Sequence, residues 1–266
     1  MTSIRFTHII LWLPMVFGGC YAATPQPAAR DGVLNLTQWD FQNSGSVNLE
    51  GDWGLYWKHL GEGVPSEEQL TGYYPLPGAW NTYNLSDTEG REGLGYGTYI
   101  LSVKLPTAVK QRNIALAIEA LDVTSAGRHR VYDTTGNLLM EHWTGRPGTS
   151  QDNEVPFAHP MFSAFNTTED IIVEIQFSNY PHSHGNVRMP RLGLHADLSL
   201  ETNARRHLDY FAIGVISIVG LFHLALFAVW PQQMAPLWFA IFCALAACKT
   251  LITGHHVYES FPDRSD

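Results

Sequence analysis

Apolar and polar residues alternate through much of the middle of the chain. Tyr99, Leu101, Val103 and Leu105 interleave with Ile100, Ser102 and Lys104, a period of two that gives a strand one apolar face. The pattern recurs three times: Trp53, Leu55 and Trp57 against Gly54, Tyr56 and Lys58; Ile114, Leu116, Ile118 and Ala120 against partners that include Glu119; and Ile171, Val173, Ile175 and Phe177 against Glu174, Gln176 and Ser178. Turn-formers separate these runs, in Asp133-Thr-Thr-Gly136-Asn137, Gly145-Arg-Pro-Gly148 and Tyr180-Pro-His-Ser-His-Gly185. With little helical periodicity between them, residues 31–200 are predicted to form an all-β antiparallel sandwich. Pro65-Ser66-Glu67-Glu68 reads as a short helix start or a loop, with both glutamates in solvent.

The two ends are apolar in another way. Arg5 precedes a short apolar run, Ile9 to Phe17, with small residues after it, so residues 1–22 read as an export signal cleaved after Ala22. Phe17-Gly18-Gly19-Cys20 also has the outline of a lipoprotein signal, which leaves Cys20 open as a lipidation site. Toward the carboxyl end, Leu208 to Trp230 holds a single charge, Asp209, and is long enough to cross a hydrocarbon layer of ~30 Å. A second apolar stretch, residues 237–253, follows Pro231-Gln-Gln-Met-Ala-Pro236, with Lys249 either snorkelling or facing a helix bundle. Loop charge does not settle the topology. Export of the sandwich does, and it leaves the 254–266 tail, with His255 and His256, outside.

Charge and cysteine content narrow the function. Between Thr24 and His207, 21 acidic side chains oppose 13 basic ones, giving −8 of the chain's −9. Such a surface repels phosphate backbones, so nucleic acid is not an expected partner. The three cysteines, Cys20, Cys243 and Cys248, lie in or beside apolar segments, so the sandwich must hold together by packing without disulfides.

Among chemistry-bearing motifs, HExxH, GxSxG, the P-loop, paired CxxC and the dinucleotide fingerprint are all missing, so no catalytic residue and no cofactor is predicted. Gly93, Gly95 and Gly97 precede a strand, which favours a close backbone approach over phosphate binding. Sugar binding needs flat apolar faces and directional polar groups. Trp53 and Trp57 share a strand face and are expected in the core, whereas Trp80 and Trp143 adjoin turns and are candidate platforms. Arg128 and Arg130 lie on one side of a strand, where they would hold an anion or form surface ion pairs. Asn179 is a further polar candidate. His182 and His184 flank Ser183 and are open to three roles: a solvated loop, half a metal site without an identifiable third ligand, or a ligand hydrogen bond.

Leu76-Pro-Gly-Ala-Trp80 and Gly95-Tyr-Gly-Thr-Tyr-Ile-Leu101 resemble elements of galactose-binding-like jelly rolls, including those that accompany some glycoside hydrolases. An export signal, a single jelly-roll domain and then helices opening with Leu208-Asp-Tyr-Phe-Ala-Ile-Gly-Val resemble the bacterial seven-transmembrane receptors with diverse intracellular signalling modules (7TMR-DISM), and Phe177-Ser-Asn-Tyr-Pro-His-Ser-His-Gly185 followed by Pro190-Arg-Leu-Gly193 resembles the last strands of their sensor domain. The resemblance implies a periplasmic jelly-roll sensor for a carbohydrate or other small molecule, held at the inner membrane by transmembrane helices. A complete receptor of this kind has seven helices and a cytoplasmic output domain; this sequence has room for two helices, so a truncated receptor is expected. The expected partners are the lipid bilayer, a small ligand and a second copy of the chain. The competing reading is a structural or protein-interaction sandwich that is merely anchored.

Overall fold

The computed structural model describes residues 25–83, 85, 92–120, 126–157, 161–183, 185–187 and 190–253. The export signal with Cys20, the 254–266 tail and His184 lie outside the described residues.

The alternating runs become strands. Among the described residues these are β1 (Val33–Asn35), β2 (Val47–Asn48), β3 (Gly51–Trp57), β4 (Gly72–Leu76), β5 (Gly78–Ala79), β6 (Gly95–Lys104), β7 (Leu116–Ala120), β8 (Ala126–Asp133), β9 (Leu138–Arg146), β10 (Val155–Pro156), β11 (Met161–Phe165), β12 (Ile171–Asn179), β13 (Asn186–Val187) and β14 (Arg191–Leu194). One sheet follows the order β10-β9-β8-β12-β6-β3-β4, with β1 parallel to β6; a second runs β11-β7-β14-β2, and β13 pairs with β5. All pairings between named strands except β1 with β6 are antiparallel. Trp53, Leu55, Tyr99, Leu101, Val131, Val173, Ile175 and Phe177 of the large sheet share one core with Val47, Leu116, Ile118, Phe165 and Leu192 of the small one. This is the predicted all-β sandwich; Trp53 is in the core as expected, and Trp57 packs against it, partly buried.

Local chemistry fixes the corners. The Asp133 carboxylate accepts from the amides of Thr135 and Asn137, closing the β8–β9 turn. Hydrogen bonds from the Thr135 hydroxyl and the Asn137 side-chain amide, assisted by those backbone bonds, pull its pKa down to about 2. At the start of β6, Gly95 has φ +115°, and a Cβ there would sit 2.9 Å from the Trp57 ring, so the glycine permits close approach of that indole. Pro65 to Gln69 forms the predicted short turn, a 3-10 helix over Glu67–Gln69 with Ser66 and Gln69 in a capping box and both glutamates exposed.

Two short helices, α1 (Phe41–Ser44) and α2 (Thr107–Arg112), precede the long helix α3 (His195–Val229) and α4 (Ala235–Thr253). α3 has 35 residues and begins 13 residues before the apolar run at Leu208, inside the span predicted as sandwich. The reason is packing: its first turns bury Leu198 and Thr202 against the small sheet, with Leu198 over Gly193. From Leu208 onward its apolar side chains are largely exposed, among them Phe211 (72%) and Leu221 (67%), as a lipid-facing helix requires. α3 is the one described helix long and apolar enough to cross a membrane; the apolar part of α4, Ala235–Leu251, is shorter. The two helices form a hairpin in which Gly220 faces Cys243, with Ala240 and Ala247 also buried, and the His223 and Phe239 rings lie 4.4 Å apart.

Candidate functional site

The strand register assembles a polar ladder on the outer face of the large sheet. Glu174 of β12 pairs with Arg130 of β8, which pairs with Glu141 of β9; in the next rung on that face, Gln176 pairs with Arg128, which pairs with Trp143. Strict alternation leads one to expect this face in solvent. Instead Thr98, Arg130, Glu174 and Gln176 are all buried. The cover is the segment between β3 and β4, whose backbone supplies acceptors: His59 O receives the Thr98 hydroxyl, and Gly61 O receives Arg130 Nη2 at 2.8 Å and the Gln176 amide.

Arg130, 1% exposed, donates from Nε to Glu174 Oε1 at 2.9 Å, from Nη2 to the same oxygen, and from Nη1 to Glu62. Arg128 donates from Nε to Glu141 Oε1 at 2.6 Å and from Nη1 to Glu62 Oε1 at 2.6 Å. The Glu62 carboxylate thus bridges both guanidinium groups, which hold its pKa below the usual range, Arg128 first through its hydrogen bond. Burial acts oppositely on Glu174 and raises its pKa against the attraction of Arg130. For Arg128, burial opposes the charge, but Glu62 and Glu141 outweigh it and the pKa rises. The Arg128 guanidinium also lies 4.4 Å from the centroid of the partly buried Trp143 ring. Paired guanidinium donors beside an accessible aromatic ring can bind and orient a polar ligand.

Other predicted site residues fall elsewhere. Trp80 is fully buried: its indole packs 4.7 Å from the Phe177 ring and against the backbone of Gly185, so it is a core residue with no face for stacking. Asn179 is buried as well, its Nδ2 donating to Gly93 O and His182 O at 2.7 Å each, which ties the loop after β12 to the start of β6. His182 is exposed on that loop. The structure therefore brings Arg128, Arg130 and Trp143 together and leaves Trp80, Asn179 and His182 out of the cluster. Among the described residues, no group of three or more His, Cys, Asp and Glu could hold a metal ion. A shallow cleft of about 240 Å³ beside the β8–β9 turn is lined by residues that include Asp133, Asn166 and Glu169.

A second buried carboxylate marks the joint with α3. Glu119 of β7, 3% exposed, accepts from Arg191 Nε at 2.5 Å, from the Thr202 hydroxyl at 3.2 Å and from Arg205 Nη1 at 3.4 Å, while Glu201 receives Arg191 Nη2 at 2.7 Å. The alternating pattern sets Glu119 opposite the apolar face of its strand, and none of Arg191, Glu201 and Arg205 is a site residue expected from the sequence.

No protein-family model matches the chain, and no curated protein matches it. Among solved structures, the β-glucuronidase from Ruminococcus gnavus in complex with uronic isofagomine is similar over 56% of this chain and 28% of that chain, at 15% identity and a TM-score of 0.39. An uncultured Clostridium sp. β-glucuronidase is similar over 55% and 28%, again at 15% identity and a TM-score of 0.39. The chain spans well under two thirds of the length of either protein.

Proposed function

We propose that the chain is a non-catalytic, membrane-anchored sensor of 7TMR-DISM type: a galactose-binding-like jelly roll in the periplasm that binds a carbohydrate or other small molecule and biases the helices behind it. In this reading α4 returns across the membrane as a second span. The observation that carries the proposal is the continuity of α3. An anchor needs only a flexible linker, whereas here one unbroken helix runs from a buried, ion-paired seat on the small sheet into its apolar length. Such a seat supports transmission, because a ligand that favours one arrangement of the sandwich shifts whatever is rigidly joined to it. One observation favours the alternative of a protein-interaction sandwich: the arginine pair is already occupied by the chain's own Glu62.

The test is calorimetric titration of the full chain in detergent micelles against saccharides and small metabolites, followed by hydrogen exchange over residues 195–206 with the binder present. Binding together with altered exchange in that segment is expected. Silence across the panel, with an envelope protein captured through the loops instead, would replace sensing by interaction.

A further inference from the structure

We propose that the Glu62 carboxylate fills a slot built for the carboxylate of the ligand, so that the site takes small carboxylic acids, sugar acids among them, in preference to neutral sugars. This rests on the reading of the sandwich as a ligand-binding domain and adds the chemical class of what it binds.

The hydrogen bonds define the slot. Arg130 is held by Glu174 through Nε and Nη2, and Arg128 is held by Glu141 through Nε. Each guanidinium thus has a strand carboxylate of its own, and Arg128 Nη1, Arg128 Nη2 and Arg130 Nη1 converge on Glu62. Two guanidinium groups face three carboxylates in all. With Glu62 turned away, the cluster holds one carboxylate per guanidinium, and a carboxylate from outside restores the original charge and the original hydrogen bonds. The paired, planar donors suit two carboxylate oxygens. A phosphate dianion would bring a further negative charge beside Glu141 and Glu174 in a domain that is already acidic.

Exchange also needs a route. The Glu62 side chain is 78% exposed, while Arg130 beneath it is 1% exposed, so the slot opens to solvent from the side that Glu62 occupies. The backbone before it is pinned by the bonds to Gly61 O; after it, a side chain built at Gly63 would meet nothing within 4 Å. Only the Glu62 side chain has to rotate. Trp143, partly buried with Arg128 over its ring, then lies beside the vacated slot, where its remaining exposed surface would meet the carbon face of a ring.

The experiment titrates the full chain in detergent micelles, at one ionic strength, with D-galacturonate, with its neutral counterpart D-galactose, and with inorganic phosphate, for the parent and for Glu62→Ala and Arg128→Gln. Removal of the internal competitor is expected to tighten galacturonate binding by about tenfold, with galactose at least about tenfold weaker in Glu62→Ala and galacturonate binding lost in Arg128→Gln. Galacturonate binding with equal affinity to parent and Glu62→Ala overturns the slot, as does phosphate binding more tightly than galacturonate. If galactose binds the parent as well as galacturonate does, the slot falls while the sensing function stands. If no probe binds parent or Glu62→Ala, the slot falls, and sensing then depends on the wider metabolite panel. Glu62→Ala alters an exposed loop side chain, so it decides the question even if Arg128→Gln fails to fold.

Discussion

Among the described residues, each sheet carries a buried glutamate on one of its strands, and the two are covered differently. Glu174 lies in the large sheet beneath a loop, with Arg130 as its ion-pair partner and its Oε2 unbonded. Glu119 lies in the small sheet beneath α3 and is satisfied by Arg191, Arg205 and Thr202, with both arginines partly exposed. Burying a carboxylate is expensive unless it is paired and hydrogen-bonded. At the first site a strand arginine meets the requirement and is itself capped by Glu62 of an exposed loop; at the second, part of the compensation comes from a helix seated on the sheet. In the proposed reading, the first site is where a ligand would exchange and the second is where movement would pass.

Substitutions can break this contrast, and the largest effect belongs to the loop-covered pair. Arg130→Met leaves Glu174 buried without its counter-ion and is expected to lower stability by ~3–5 kcal/mol, with Arg130→Met/Glu174→Leu recovering most of the loss. Denaturant unfolding of the full chain in micelles, followed by tryptophan fluorescence, measures both. Glu119→Ala strands arginines that water can still reach, so a smaller loss of ~1.5–3 kcal/mol is expected, with faster hydrogen exchange over residues 195–206 and unchanged exchange in β8. An equal loss at the two sites would erase the distinction. Trp143→Ala removes an aromatic contact at the surface and is expected to cost ~0.5–1 kcal/mol while weakening ligand binding, read by the same melts and titrations.

The smallest effect sharpens the comparison through pH. Asp133 has a depressed folded pKa, so its contribution is present above the unfolded value of 3.8 and is lost as pH falls toward about 2. Asp133→Asn is expected to flatten the stability profile across that window. Glu174 has the opposite sign: its raised pKa means that stability declines as pH rises from 4.5 through the folded value. Glu174→Gln is expected to remove that decline.

Sequence alone exposed the parts of the molecule governed by short-range periodicity. β3, β6, β7 and β12 announce themselves because apolar side chains on one face repeat every second residue, and the β8–β9 turn does so because Asp133 caps its own backbone. Arg128 and Arg130 were legible as a pair for the same reason. What covers them was not: Glu62 lies 66 residues from Arg128 and 68 from Arg130 in a loop without periodicity. Trp80 resembled a surface platform because it adjoins a turn; its burial depends on Gly185, far along the chain, and on Phe177. The start of α3 was hidden because Asp197, Glu201, Arg205 and Arg206 interrupt any apolar stripe, and only Leu198 and Thr202 bury against the sheet.

A helix without a break also sets an angular phase between the sandwich and the bilayer. The azimuth at which Leu198 meets the small sheet determines which side of α3 reaches Gly220 and the hairpin, since each residue advances the helix by ~100° and ~1.5 Å. One alanine inserted at positions 203–207 would swing the downstream face by about a quarter-turn or slightly more, whereas four would return it to within ~40° and merely lift it by ~6 Å.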